Sequence, residues 1–235
     1  MMKNFSVLNT NVEILNYNGS KTIKKIYKPN INLDIKIDEL NNMLLKYINL
    51  IQSAKINFPK VIETKVTNNN IVYFCEYKGK NILELFSYKD FISGNADFIL
   101  DQIINILIRS IKNNLYFDPH PKNFTYQNSK VYYVDFCPPL IPEYIKKRVE
   151  YDKKHQNIVI KNFEYFSPQN LFFHFCGDFI DVFRKEDYIS IINRIYNLLL
   201  SKKNIDKIEF DEFLMKCTII RNLEDARLEK KVYLF

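Results

Sequence analysis

The chain has 235 residues, of which 47% are hydrophobic and 26% charged, and its formal net charge is +7. That is enough to bury one large core or two small lobes, as an ordinary globular protein does. No run reaches the ~18 apolar residues of a membrane span, and "MMKNFSVLNTNVEILN" holds no apolar stretch of signal-peptide length, so a cytoplasmic protein is expected.

In chain order, "NVEILNYNGSKTIKKIYKP" reads as two alternating runs around Asn18-Gly19, a favoured two-residue hairpin turn. Leu40, Met43, Leu44, Tyr47, Ile48 and Ile51 then recur at helical spacing, which predicts a helix from about Ile37 to Ala54. "PKVIETKV" and "NIVYFCEYK" are two further strands joined by "TNNN", so the order up to Gly79 is β-β-α-β-β. Past Gly79, "ADFILDQIINILIRSIKNN" is apolar nearly all round, as a helix buried inside a lobe is. A loop and the strand "KVYYVDF" follow, and from about Asn170 onward "NLFFHFCGDFIDVF", "DYISIINRIYNLLLSKK" and "FDEFLMKCTIIRNLEDARLEKK" are helical. No repeat or low-complexity linker interrupts the chain.

Four cysteines, Cys75, Cys137, Cys176 and Cys217, are scattered without CxxC spacing, which suggests neither a zinc site nor a disulfide framework. The positive charge is spread among Asn and Ile with no concentrated basic run, so it argues only weakly for a nucleic-acid partner.

Chemistry concentrates in "FDPHPKNFTYQNSKVYYVDF", residues 117–136. Pro119 and Pro121 restrict the backbone around Asp118, His120 and Asn123. An amide and a carboxylate, Asn123 and Asp135, suit a hard cation such as Mg²⁺, which takes one or two such oxygens together with phosphate and water. A separate carboxylate, Asp118, can orient a hydroxyl and accept its proton. Taken singly, Asp118 and Asn123 would be turn or cap residues. His174 reads as a satisfied core histidine.

"D-P-H-P-K-N" followed by "V-Y-Y-V-D-F" resembles the catalytic loop and metal-binding strand of the protein-kinase-like superfamily, closest to the aminoglycoside phosphotransferase and choline kinase group. The likeness spans about twenty residues and includes the Asp-to-Asn spacing. It implies an α+β fold of two lobes, a β-rich nucleotide-binding lobe over residues 1–78 and a helical catalytic lobe over 79–235. It also implies ATP or GTP and Mg²⁺, with Asp118 as base and Asn123 and Asp135 as metal ligands. A lysine should lie on the third strand and reach the phosphates, which "TIKKIYK" offers as Lys25, Lys24 facing the other way. A glutamate on the next helix should hold it, Glu39 with Asp38 as rival. The adenine should meet the backbone carbonyl of Glu76 and the N–H of Lys78, and His120 should either touch a phosphate or brace the loop.

The sequence departs from the pattern in three places: Tyr116-Phe117 precede Asp118 where His and a small or basic residue are usual, Cys137-Pro138-Pro139 follow Asp135-Phe136 in place of Gly, and no glycine-rich loop precedes Lys25. The resemblance implies a phosphotransferase acting on a hydroxyl of a small molecule. The alternatives are a compact atypical protein kinase and a nucleotide-binding pseudokinase scaffold.

Overall fold

The structure, a computed structural model, describes residues 10–29, 35–151, 153, 156–202 and 208–229. Strands β1 (Thr10–Tyr17) and β2 (Ser20–Tyr27) form the expected hairpin, with Asn18 and Gly19 both at positive φ, 51° and 77°. Such a turn matches the twist of the paired strands. The register sets Lys24 opposite Glu13, and their side chains meet at 3.0 Å on the outer face. Lys25 therefore faces the other way, inward, together with Tyr27. Lys25 lies on the second described strand and not on a third.

Helix α1 (Ile37–Ser53) buries Leu40, Leu44, Tyr47, Ile48 and Ile51 on one face, as the spacing predicts. Strands β3 (Val61–Val66) and β4 (Ile71–Glu76) complete an antiparallel sheet of order β1-β2-β4-β3, so the hairpin docks on β4 through β2.

The chain then leaves that sheet. Strand β5 (Lys80–Asn81) joins a second, antiparallel sheet of order β5-β6-β7, built with β6 (Phe124–Gln127) and β7 (Lys130–Tyr133). Between β5 and β6 run the short helices α2 (Ile82–Leu85) and α3 (Tyr88–Ser93) and the long α4 (Asp97–Lys112). After β7 come α5 (Pro142–Tyr151), α6 (Gln156–Tyr165), α7 (Leu171–Val182), α8 (Tyr188–Ser201) and α9 (Phe210–Glu229). The architecture is thus α+β, with a small antiparallel sheet in the N-terminal region and a helical C-terminal part. Among the described residues no helix is long and apolar enough to cross a membrane.

One hydrophobic core runs from Tyr27 and α1 through α4 to α7, α8 and α9. Helix α4 buries Ile99, Leu100, Ile103, Ile104, Ile106 and Leu107. Phe98 is an exception to the all-round burial expected of α4: it is 46% exposed, its ring lying against Phe86 and Tyr126 at the helix start. The elements without a prior expectation, β5, α2, α3, α5 and α6, are short or weakly patterned, and tertiary packing defines them.

Gly79 marks the step from the first sheet to the second. Its φ is +84°, and a Cβ there would stand 1.9 Å from the backbone oxygen of Tyr126, so the chain passes β6 closer than any side chain allows. Gly79→Ala is expected to destabilise the protein by roughly 3 kcal/mol. Gly19→Ala, where an added Cβ meets nothing within 4 Å, should cost only about 1 kcal/mol for its positive φ. Equal denaturation midpoints for the two variants would show that the approach to β6 is not a constraint.

Candidate functional site

The segment that the sequence singles out is a packed loop. Phe117 is buried against Tyr133 and Phe124, and its N–H donates to the Phe166 carbonyl at 2.9 Å, which ties the loop to the end of α6. Asp118, half-buried, follows at once. Its Oδ1 accepts the N–H of His120 at 3.1 Å, a local bond that Pro119 between them favours. Pro121 then opens a single 3-10 turn, Pro121–Asn123, capped by His120, whose Nδ1 accepts the Lys122 N–H at 3.1 Å.

Asn123 is buried. Its amide nitrogen donates to the Asp118 carbonyl at 3.3 Å, which leaves the amide oxygen as the atom that can face a cation. Its backbone carbonyl accepts the Val134 N–H at 2.9 Å. That bond extends the β6–β7 ladder by one step and sets Asp135 beside the loop. Asp135 was expected to end a strand; β7 stops at Tyr133, because the partner strand begins only at Phe124, and Asp135 lies two residues beyond it.

Across from the loop, Lys25 is only 7% exposed and its Nζ meets Asp135 Oδ1 at 2.5 Å. The ammonium also stands 4.6 Å above the ring of Phe136, which is held edge-on by Tyr73 and Phe58. Burial is the largest single influence on the Lys25 pKa and pulls it down, yet the charge and hydrogen bond of Asp135, with smaller contributions from Cys137 and Cys75, make the net shift upward, so the amine stays a cation. Helix α1 reaches the same place, for Tyr47 donates to the Tyr116 carbonyl at 2.9 Å. Lys25 thus faces inward as its strand alternation predicts, but the acid that meets it is Asp135 and not Glu39. Glu39 does not meet Lys25; it pairs with Lys147 of α5 at 2.6 Å, and Asp38 is exposed. The reason is one of position: Glu39 starts α1 near α5, whereas Asp135 arrives directly beneath β2.

Asp118 itself carries a raised pKa. Burial is the main cause, the Asp135 charge adds to it, and His174 and Lys122 oppose it. Two buried phenols, Tyr47 and Tyr133, lie within the field of both carboxylates and are pushed up, chiefly by burial. Cys75 and Cys137 flank Lys25; burial drives both thiols up, Cys75 to about 11, and all four cysteines are free and buried. Glu76 ends β4 with its N–H bonded to the Lys60 carbonyl at 3.0 Å, and its carboxylate holds the Lys78 ammonium at 2.6 Å. The Lys78 side chain also faces the Tyr132 ring.

Two residues beside the loop carry no expectation from the motif. Asp178 of α7 and Arg221 of α9 are both buried, and Arg221 Nη1 lies 3.3 Å from Asp178 Oδ1. The signal is faint: an acid four residues after His174 on an otherwise apolar helix, "FFHFCGDF", places both on one face.

Scanned against protein-family models the chain matches none, and no curated protein matches it.

His120 yields a pH-dependent expectation. Burial holds its pKa well below the usual histidine range, with Lys122 and His174 adding to the effect, and Nδ1 must keep a lone pair for the Lys122 N–H. A base with a depressed native pKa loses native stability as pH falls through the unfolded value of about 6.5, because the unfolded chain then binds a proton that the native one does not. Stability should therefore fall between pH 7 and 5, with a slope from this group of at most about 1.4 kcal/mol per pH unit. His120→Asn keeps an acceptor for the turn and should flatten that part of the curve in urea titrations; an unchanged slope would remove His120 as its source.

Proposed function

We propose that the protein is a phosphotransferase of protein-kinase-like fold, moving the γ-phosphoryl group of ATP or GTP to a hydroxyl of a small molecule. The observation that supports this most directly is the meeting of Lys25, from the first sheet, with a hairpin segment 110 residues away that carries Asp135 after β7 and the Asp118–Asn123 loop before β6. No one of these residues would carry the reading. Their meeting gives a buried cation, a half-exposed carboxylate, an amide oxygen and a second carboxylate in one region, which is what phosphoryl transfer requires.

The donor set fits a magnesium nucleotide. Asn123 and Asp135 would hold the ion, both offering hard oxygen atoms, and Lys25 would hold phosphate oxygens once shared with Asp135. When bound, the Mg²⁺ neutralises charge on the transferred phosphoryl group. The protein's own part is positional. Lys25 is confined by Asp135 and the Phe136 ring, so its ammonium reaches the site without sampling other positions. Asp118, its Oδ1 pinned by His120, orients the acceptor hydroxyl and takes its proton. Residues 1–78 form the nucleotide lobe and residues 79–235 the catalytic lobe, with the adenine against the Glu76–Lys78 backbone. His120 braces the loop by capping its turn and does not need to touch phosphate.

The segment after Asp135 favours a small-molecule enzyme over a switched protein kinase. Residues 136–141 are buried without a break and lead straight into α5, so Asp135 is followed by packed chain and not by an exposed loop.

Labelled ATP and GTP offered with a metabolite mixture, and separately with total protein, test the reading: transfer to metabolites supports it, and no magnesium-dependent nucleotide binding at all would overturn it. Asp118→Asn should lower transfer at least about 100-fold while nucleotide affinity holds. Asp135→Asn should abolish magnesium-dependent nucleotide binding, its fold checked by circular dichroism because Lys25 then lacks a partner. Lys25→Met should cost far more activity than Lys24→Met, since neighbouring strand residues face opposite sides, and Glu39→Gln, whose partner is Lys147, should leave nucleotide affinity unchanged.

A further inference from the structure

Behind the loop, the carboxylate of Asp118, a ring nitrogen of His174 and a carboxylate oxygen of Asp178 lie within 4.8 Å of one another. His174 and Asp178 are 5% and 2% exposed, so this is interior chemistry and not a surface cluster. The ring has a defined orientation. Its Nδ1 stands 3.2 Å from the Tyr165 carbonyl, a group that can only accept, so Nδ1 carries a proton. Nε2 is consequently the atom turned to the carboxylates, 3.4 Å from Asp178 Oδ2. That oxygen has no hydrogen-bond partner of good geometry, while Oδ1 of the same group is held by Arg221, itself gripped by Asp225 at 2.6 Å. Nε2 thus faces two carboxyl groups, those of Asp178 and Asp118, and a proton on this nitrogen can be offered to either.

We propose that His174, oriented by Tyr165 and by the Asp178–Arg221 pair, is a positioning residue for Asp118: its Nε2–H fixes the carboxylate from behind while the His120 N–H fixes it from the loop. A carboxylate that must meet an acceptor hydroxyl on its open side cannot be left to rotate, and misplacement of a reacting group by about 1 Å can cost on the order of 100-fold in rate. The chain of contacts also links α7 and α9, through Arg221, to the loop that carries the base. This role rests on the phosphotransferase reading.

Two isosteres separate it from simple packing. Asn places its amide nitrogen where Nδ1 stands and keeps the Tyr165 bond; Gln places its amide nitrogen where Nε2 stands and keeps the donor toward Asp118. Release of phosphate from magnesium ATP by the full chain should fall about 100-fold in His174→Asn and about 10-fold or less in His174→Gln, with the KM for ATP unchanged in both. The reverse order would reduce His174 to an anchor for Tyr165 and overturn the proposal. A second readout needs no turnover: the ring ¹⁵N signals of His174, assigned by their loss in His174→Gln, should shift in Asp118→Asn. Unmoved signals would overturn the contact whatever the activity. Stoichiometric zinc or manganese bound by the purified chain and lost in Asp178→Asn would make the three residues a metal site instead, and overturn it too. A wild-type chain that binds no nucleotide in the presence of magnesium, with the ring signals still shifting, fails the phosphotransferase reading and takes the role with it, a result distinct from failure of the contact.

Discussion

An ammonium group cannot be buried alone. Removing a lysine charge from water costs several kcal/mol even after the surroundings relax, and only an opposite charge with good geometry offsets it. Lys25 is placed inward by the period of its strand, so β2 demands an acid beneath it. The acid that answers is 110 residues away, Asp135 at 2.5 Å. This one pair joins the first sheet to the loop after β7, and most of what can be said of the site depends on it. It keeps Lys25 charged, it brings Phe136 under the sheet between Phe58 and Tyr73, and it fixes the end of β7 relative to β2.

The loop itself is rigid for a separate reason. Its side chains cap their own backbone: Asp118 takes the His120 N–H, His120 takes the Lys122 N–H, and Asn123 returns a bond to the Asp118 carbonyl. Each bond is worth about 1 kcal/mol at most net of water. Their value lies in specifying one conformation, since Pro119 and Pro121 remove two N–H donors and two φ freedoms from the same six residues. Chain stiffness and local capping agree, and both act within the loop itself to set the positions of Asp118 and Asn123.

How far the sequence made this legible depends on the range of the interaction. The hairpin at Asn18-Gly19, the face of α1 and the helices α4, α7, α8 and α9 rest on period and turn chemistry, both local, and they occur where expected. Short elements such as β5 and α2 carry too few residues for a period, and they exist because Gly79 lets the chain lie against β6. Lys25 was separable from Lys24 because alternation is local; its partner was not, because several acids could satisfy a buried ammonium and only the tertiary arrangement selects among them. Glu39 is near in sequence, but α1 turns it toward Lys147 of α5. The same holds for His174, which is a satisfied buried histidine through Tyr165 and also has a ring nitrogen within 4.8 Å of the Asp118 carboxylate, a proximity no spacing rule encodes.

The charges around Asp118 are arranged asymmetrically, and the asymmetry has a physical consequence. On one side stand Asp135 and Lys25, a pair that largely cancels; on the other stand His174, Asp178 and Arg221, buried and mutually held. Burial pushes Asp178 up to about 7, with His174 and Arg221 pulling against it, so the interior side is a set of groups whose charges are poised against one another. Arg221 binds Asp178 and Asp225 at once, which holds that set to α9 and spares the loop from balancing it. On the proposed reading, an ion entering between Asn123 and Asp135 would disturb the Lys25 side, where Asp135 is the partly exposed member and Lys25 and Asn123 are buried, while Asp178 stays held by Arg221 on the interior side.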